Sequence, residues 1–378
     1  MGHGIAYVTA AAGMQVVMTD KDQEAADKGK ERIAAIVTPQ VEKGRLSQDK
    51  AEGILGNITP TANYDDLSGC DLIIEAVFEN RELKASVTQA AEAAMDSTGV
   101  FASNTSTLPI TGLAEASSRP EKFIGLHFFS PVHKMQLVEI IVGEKTDDET
   151  LAKAFDYVLA IGKVPIVVND SRGFYTSRVF STWSNEGMKM LLEGQHPHSI
   201  EMAGLQAGMP VGPLAVMDEI SLGLADHIRK QTIADMEAAG QEVTELAAAR
   251  RGDHCAPVID KMLSLKRPGR AGGGGFYEYT DKGKHLWPEL AGIFMNGQPQ
   301  LPQQEMIDRI IYIQSIETAR CLEEGVLRSV PDANLGAIFG WGYAPFNGGP
   351  LQYINAVGLD RFVARAEELA DTYGERFA

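Results

Sequence analysis

The chain has 378 residues, 44% of them hydrophobic and 22% charged, a composition that fits a folded globular protein with room for two or three domains. Its formal net charge of −17 excludes broad binding to nucleic acid or to an anionic membrane surface, while leaving room for a small anionic ligand held by a few local cations. Cys70, Cys255 and Cys321 lie far apart with no CxxC spacing, so neither a zinc site nor a disulfide framework is expected, and a reducing, cytoplasmic setting is. No apolar run reaches the ~18–20 residues needed to span a membrane, and the start lacks the basic segment of a secretory signal.

In chain order, Met1–Gly13 predicts a helix with Ile5, Val8 and Ala12 on one face. Gln15–Asp20 predicts a strand that ends in a carboxylate. Helix, strand and terminal Asp form the second half of a dinucleotide-binding unit, in which the acid accepts hydrogen bonds from the adenosine ribose. Gly2 stands where the third glycine of Gly-x-Gly-x-x-Gly would, eighteen residues before Asp20. The first strand and the first two glycines are missing, so neighbouring strands are expected to carry unpaired backbone groups. The bland alternative is a glycine that merely precedes an alanine-rich helix.

Lys21–Gln48 predicts one long charged helix, and Ile58–Thr61 a short strand. The run Asp71–Val77 is apolar with little alternation, the mark of a strand buried on both faces. Helix Glu82–Met95, strand Val100–Ala102, helix Ile110–Ala116 and strand Phe123–Phe129 follow. Strand Val138–Val142, helix Asp148–Ile161 and strand Val164–Val168 complete the series. Strands alternating with helices predict an α/β domain over 1–170, Rossmann-like, with a mostly parallel sheet whose first strand is missing.

Polar residues gather at the carboxyl ends of two of these strands, where ligands bind in open parallel sheets. Ser103, Asn104, Thr105 and Ser106 follow the strand at Val100. His127 lies near the end of the strand at Phe123, and Glu139 follows twelve residues later. Hydroxyls, an imidazole and a carboxylate brought together there would make a proton-transfer site. A buried, satisfied histidine is the bland reading of His127 alone. A hydrolase triad is the rival use of the set, and it fits poorly because no Gly-x-Ser-x-Gly elbow surrounds Ser106.

After Asp170 the pattern turns helical. Phe174–Leu192, Ser199–Ala207 and Leu214–Ala238 predict helices in a domain over 171–280, which closes on four glycines before Phe276. Residues 281–304, rich in Pro, Gly and Gln, read as a linker to a last domain over 305–378. That last domain repeats the first helical one. Arg178, Glu186 and Glu193-Gly194 recur 131 residues later as Arg309, Glu317 and Glu324-Gly325, and Gly212-Pro213-Leu214 recurs as Gly349-Pro350-Leu351. The duplicated all-α unit is expected to bury its apolar faces copy against copy. The second copy has no sheet attached, so a second active site is not expected.

The strings NTSTLPI, FIGLHFFSPVHKMQLVEII, DSRGF and GPLAVMDEISL resemble the L-3-hydroxyacyl-CoA dehydrogenases. The duplicated helical part looks like the dehydrogenase half of the multifunctional α-subunit of fatty-acid β-oxidation. The resemblance implies NAD-dependent oxidation of an L-3-hydroxyacyl-CoA to the 3-ketoacyl-CoA, with an acyl-CoA substrate, a thiolase subunit as partner and homo-oligomerisation. It implies His127 as the catalytic base, Glu139 as its partner, and Ser106 as the hydroxyl that holds the substrate oxygen. It implies Asp20 as the ribose acid, Gly2 as part of the phosphate-binding turn, and Glu79 and Lys84 beside the cofactor. The Glu79–Lys84 stretch also reads as a solvated helix start.

This chain departs from the family pattern at several points. Ser177 stands in the Gly-Phe-x-x-Asn-Arg string where the family has Asn, so a substrate-positioning role passes to a shorter side chain. Ser130 replaces an Asn, and only Arg270 offers a cation near the closing Gly-Phe-Tyr. Lys28, Lys30 and Arg32 could meet CoA phosphates or simply solvate a helix face. No stretch resembles an enoyl-CoA hydratase/isomerase domain, so those activities are not expected. The missing strand keeps an alternative open: a catalytically impaired fragment that serves as a structural piece of a β-oxidation complex. A relative acting on another hydroxy acid is a third reading.

The chemistry is coherent from the residues themselves. Oxidising a secondary alcohol requires removal of the hydroxyl proton as hydride leaves the same carbon. A neutral imidazole suits that proton, and a carboxylate partner fixes its tautomer and stabilises the cation formed.

Overall fold

The computed structural model describes residues 1–238, 240 and 244–378. Its elements in order are α1 (Gly2–Ala11), β1 (Val16–Thr19), α2 (Gln23–Glu42), α3 (Gln48–Gly56), β2 (Ile58–Thr61), β3 (Leu72–Glu75), α4 (Arg81–Ala94), β4 (Val100–Ser103), α5 (Ile110–Ala114), β5 (Phe123–Phe128), β6 (Leu137–Val142), α6 (Asp148–Ala160) and β7 (Val164–Asn169). There follow α7 (Thr176–Leu192), α8 (Pro197–Gln206), α9 (Pro213–Ile220), α10 (Leu222–Ala238), α11 (Glu245–Arg250), α12 (Ala256–Ser264), β8 (Tyr277–Thr280), β9 (Gly283–Leu286), α13 (Leu290–Phe294), α14 (Gln303–Glu323), α15 (Val330–Trp341), α16 (Pro350–Val357) and α17 (Leu359–Tyr373).

The chain divides into two compact units, 1–175 with 325–340, and 176–324 with 341–378. In the first, a five-stranded sheet has the order β3-β4-β5-β6-β7, and β1 pairs in parallel with β2 in a separate sheet. Strands β3, β4 and β5 run parallel, as do β6 and β7, but β5 and β6 are antiparallel. Only the eight residues 129–136 join β5 to β6, too few for the helical crossover that a parallel pair needs. Among the described residues β1 pairs only with β2 and β3 only with β4, so the two sheets are not joined edge to edge.

Helix α1 holds the two sheets together. Its Ile5 packs into the core of Val100, Ala102, Ile124, Leu126, Val138 and Ile140, which α6 covers with Ala154 and Val158. Its Ala6 and Ala10 pack into a second core with Ile33, Val37, Ala51 and Ile58. Small residues on one side of α1 let α2 and α3 approach closely. The expected long helix over 21–48 is α2, which starts on the Asp22 cap, whose carboxylate accepts from Ala25 N at 2.8 Å, and stops at Glu42; α3 starts afresh on Ser47 and runs beyond it.

In the second unit the duplication is a reciprocal lock. Arg178 of α7 donates to Glu317 (2.5 Å) and Glu324 (2.6 Å), and Arg309 of α14 donates to Glu186 (2.7 Å) and Glu193 (2.6 Å). Each copy's arginine is therefore held by the other copy's two glutamates. The helix expected over 214–238 breaks at Ser221, whose φ of 87° lies in the left-handed region. Residues 239 and 241–243, within the stretch read as helical, lie outside the described residues.

The expected linker over 281–304 is not a free tether. Strand β9 pairs with β8, and Trp287, Leu290 and Phe294 are buried. Its Pro, Gly and Gln content hid three apolar anchors that dock it. The expected boundaries also shift, because residues 325–340 of the last domain belong to the sheet-bearing unit. Cys255 and Cys321 are buried, and burial pushes both thiols up to about 12. Among the described residues no helix is long and apolar enough to cross a membrane, and no cluster of His, Cys, Asp and Glu could hold a metal ion.

Candidate active site

The antiparallel hairpin explains the twelve-residue spacing. His127 of β5 and Glu139 of β6 are direct cross-strand partners, so their side chains leave the sheet on one face. The imidazole Nδ1 lies 2.9 Å from Glu139 Oε2, and both groups are buried. That carboxylate sets the tautomer, fixing the proton on Nδ1. The ring of Phe129 lies 4.4 Å from the imidazole and that of Phe174 6.2 Å, centre to centre, an apolar wall that strengthens the hydrogen bond.

Glu139 is held from the other side as well. Its Oε1 accepts the backbone N–H of Tyr175 at 2.9 Å. The amide is aimed there by a turn at Gly173 (φ 74°) and Phe174 (φ 51°), a left-handed pair in which Phe174 is strained. Asp170, just before the turn, caps α5 by accepting from Ile110 N (2.9 Å) and Thr111 N (2.7 Å). Gly173 N donates to Thr107 O at 3.2 Å, tying the turn to the loop that carries Ser106.

That loop follows β4, beside the end of β5. The strands pair Ser103 with Gly125, so His127 stands two residues beyond that pair, level with the start of the loop. Asn104 Oδ1 accepts Phe128 N at 2.8 Å, next to His127, and so joins the two strand ends. Glu79 organises the loop, accepting from Thr105 Oγ1 (2.5 Å), Ser106 N (3.1 Å) and Thr107 N (3.3 Å). Burial alone would push the Glu79 carboxyl up, but the Lys84 ammonium and these three residues outweigh it and hold it below the usual range.

Lys84 is only 2% exposed, with its ammonium 2.7 Å from Glu75 and 3.4 Å from Glu79. Glu75, at the end of β3, also accepts from Val77 N (2.8 Å) and Ser103 Oγ (2.7 Å). The structure therefore replaces the solvated helix start with a buried brace under the Ser106 loop. Lys84→Met should lower the free energy of unfolding by about 3 kcal/mol, because it strands a buried carboxylate. Urea unfolding that shifts by less than 1 kcal/mol would show that the brace carries no load.

Asp20 lies exposed at the carboxyl end of β1, where its Oδ1 accepts Lys21 N at 2.8 Å. Beside it, the Thr19 hydroxyl is buried with no hydrogen-bond partner among the described residues. A Cβ at Gly2 would meet only Ala76 Cβ, at 4.0 Å, so the first turn of α1 is uncrowded. An exposed acid, an orphaned hydroxyl and an uncrowded helix start fit the ribose and phosphate side of a dinucleotide. Ser177 lies half-buried in the first turn of α7, in the other unit. Lys28 pairs with Glu24 and Lys30 Nζ donates to Ile58 O at 2.7 Å, so these two do not form an open phosphate cluster. Arg270 pairs with Glu219.

Sequence reasoning missed Glu75, Asp170 and Tyr175 as parts of the site. Glu75 carried a signal, since a carboxylate ending an otherwise apolar buried strand needs a partner. Tyr175 carried none, because it acts through its backbone N–H.

Two family models match the chain: "3-hydroxyacyl-CoA dehydrogenase, NAD binding domain" over residues 1–171, and "3-hydroxyacyl-CoA dehydrogenase, C-terminal domain" over 173–279. The fatty acid oxidation complex subunit alpha of Colwellia psychrerythraea is 35% identical over 381 residues, covering 98% of this chain and 51% of its own. The chain thus spans about half the length of that curated relative. The 3-hydroxybutyryl-CoA dehydrogenase of Escherichia coli K12 superposes over all of this chain and 94% of its own, with a TM-score of 0.82 at 24% identity, a likeness of fold. The dehydrogenase part of multifunctional enzyme 1 from C. elegans is 26% identical, covers all of this chain and 85% of its own, and gives a TM-score of 0.68.

Proposed function

Because the chain belongs to the 3-hydroxyacyl-CoA dehydrogenase family and carries its NAD-binding and C-terminal domains in succession, we propose that it oxidises the 3-hydroxyl of an L-3-hydroxyacyl-CoA to a ketone. The observation that supports this most is the His127–Glu139 pair at the carboxyl end of β5. His127 Nε2 removes the hydroxyl proton, and Glu139 stabilises the imidazolium through Nδ1. The Ser106 hydroxyl orients the substrate oxygen, on a loop fixed by Glu79, Lys84 and Glu75. Ser177 assists in positioning substrate. Asp20 holds the adenosine ribose, and the start of α1 at Gly2 faces the phosphates. Glu79 and Lys84 stand on the cofactor side, Lys84 acting through Glu79. Bound NAD supplies the hydride acceptor.

In this reading the chain works in fatty-acid β-oxidation in the cytoplasm, as a homo-oligomer and beside a thiolase subunit. The support is the family and the relative named as a complex subunit. The test is NADH formation by the full chain. An L-3-hydroxyacyl-CoA should give NADH at least about a hundredfold faster than the free 3-hydroxy acid. Equal rates would move the substrate to another hydroxy acid. One observation favours a second reading, a structural piece without turnover: β1 and β3 do not pair, which leaves the cofactor edge of the sheet divided. Calorimetric titration with NADH separates the two, since micromolar binding supports the enzyme and absence of binding the structural piece.

A further inference from the structure

Helix α15 lies in the second helical copy by sequence, but it belongs to the compact unit that holds His127 and Glu139. The segment leading into it docks along β7. Asn169 N donates to Val326 O at 2.8 Å, its side-chain amide donates to Gly325 O at 2.7 Å, and Arg328 Nε donates back to Asn169 Oδ1 at 2.9 Å. Val168 and Leu327 form an antiparallel bridge, and Asp332 accepts Val167 N at 3.3 Å. So placed, α15 reaches Tyr175. The buried Tyr175 hydroxyl donates to Ala333 O at 2.7 Å. One turn on, Gly336 leaves room for the ring: a Cβ there would stand 3.0 Å from Tyr175 Cε1 and 2.7 Å from Ile166 Cδ1.

Tyr175 is the residue whose backbone N–H holds Glu139 Oε1. It follows directly on Phe174, whose left-handed backbone conformation persists only where the surroundings over-determine it. The turn is tied on its N-terminal side by Asp170 and Gly173. On its C-terminal side one tie is the Tyr175 side chain, bonded to α15. We propose that α15 of the second copy is a positioning element of the proton-transfer pair, acting through Tyr175 on Glu139 and through Glu139 on His127. The second copy thereby completes an active site to which it supplies no reacting group.

The inference rests on reading His127 and Glu139 as the proton-transfer pair, and two variants test it. Tyr175→Phe keeps the ring and the backbone N–H and removes the tie to Ala333. Gly336→Val keeps the hydroxyl and pushes the ring away. Displacements of about an ångström at a catalytic group cost up to ~100-fold in rate. Each variant should lose about tenfold in kcat, with KM for NAD and for the acyl-CoA within about twofold of wild type.

Two readouts need no cofactor. Hydrogen exchange at the residue-175 amide should speed up about tenfold, while the amides of β5 stay protected. The downfield proton resonance of His127 Nδ1 should weaken or move. Wild-type exchange and an unmoved resonance in both variants would overturn the inference, as would wild-type kcat in both. A wild-type chain without turnover would overturn the proposed activity instead, and the two cofactor-free readouts would still decide this point.

Discussion

His127→Gln should lower kcat by about a thousandfold while calorimetric binding of NADH stays unchanged, within the ~10²–10⁴ that a positioned general base contributes. Glutamine preserves much of the side chain's reach and can still donate to Glu139 Oε2, whose other oxygen keeps the Tyr175 amide. The buried carboxylate is therefore not stranded, and the fold should hold. What glutamine cannot do is accept a proton from an alcohol near neutral pH. Loss of turnover with intact cofactor binding would place the defect in proton transfer. A variant within tenfold of wild-type kcat would remove His127 from the role of base.

Arg309→Met should cost about 5 kcal/mol in unfolding of the helical unit, at the upper end for breaking a buried ion pair. Arg309 is fully buried, bonded to both Glu186 and Glu193, with its guanidinium 3.9 Å from the centre of the Tyr373 ring. Burial pushes the Glu186 carboxyl up, but Arg309 and Arg376 dominate and hold it at about 2, against its ordinary 4.5. A carboxyl with a depressed folded value stabilises fully above its unfolded value, and that contribution fades as pH falls from about 4.5 towards 2.

His254 gives the same unit an earlier acid limb. Burial, with Arg376 and Lys189, lowers it to about 4 from 6.5 despite the pull of Glu186 and Asp253, and neither ring nitrogen has a hydrogen-bond partner among the described residues. The fold favours the neutral ring, so stability is complete above about 6.5 and declines between 6.5 and 4, by on the order of 3 kcal/mol. Urea unfolding across that range should show the loss. A flat profile in wild type from pH 7 to 5, or an Arg309→Met variant within 1 kcal/mol of it, would refute the account.

The sheet and the His127–Glu139 pair were legible because burial on both faces leaves uninterrupted apolar runs, in which an imidazole and a carboxylate stand out. The antiparallel turn between β5 and β6 was legible only in loop length, a weaker signal than the helix–strand alternation around it. The burial of Lys84 was not legible, because a lysine at a helix start is usually solvated. Its burial depends on Glu75 and Glu79, which the fold brings together. The docked segment over 281–304 was hidden by a composition dominated by turn formers. Nothing local could have shown that Ala333 and Gly336 meet Tyr175, since that contact is set by the path of some 150 residues between them and depends on a backbone carbonyl and a missing side chain.

The reciprocal arginine–glutamate lock shows that the two copies must fold against each other, and the docking of 325–340 on β7 adds a question of timing. During synthesis the sheet-bearing unit cannot close when its first 175 residues have emerged. The β7 edge stays uncovered until the ribosome has added about as many residues again, and an open strand edge is a surface on which other chains pair. The order of translation and the order of completion are therefore interleaved. The nascent chain must keep an exposed edge from wrong partners until residue 340 arrives, a burden that falls on folding speed and on whatever shelters the chain meanwhile.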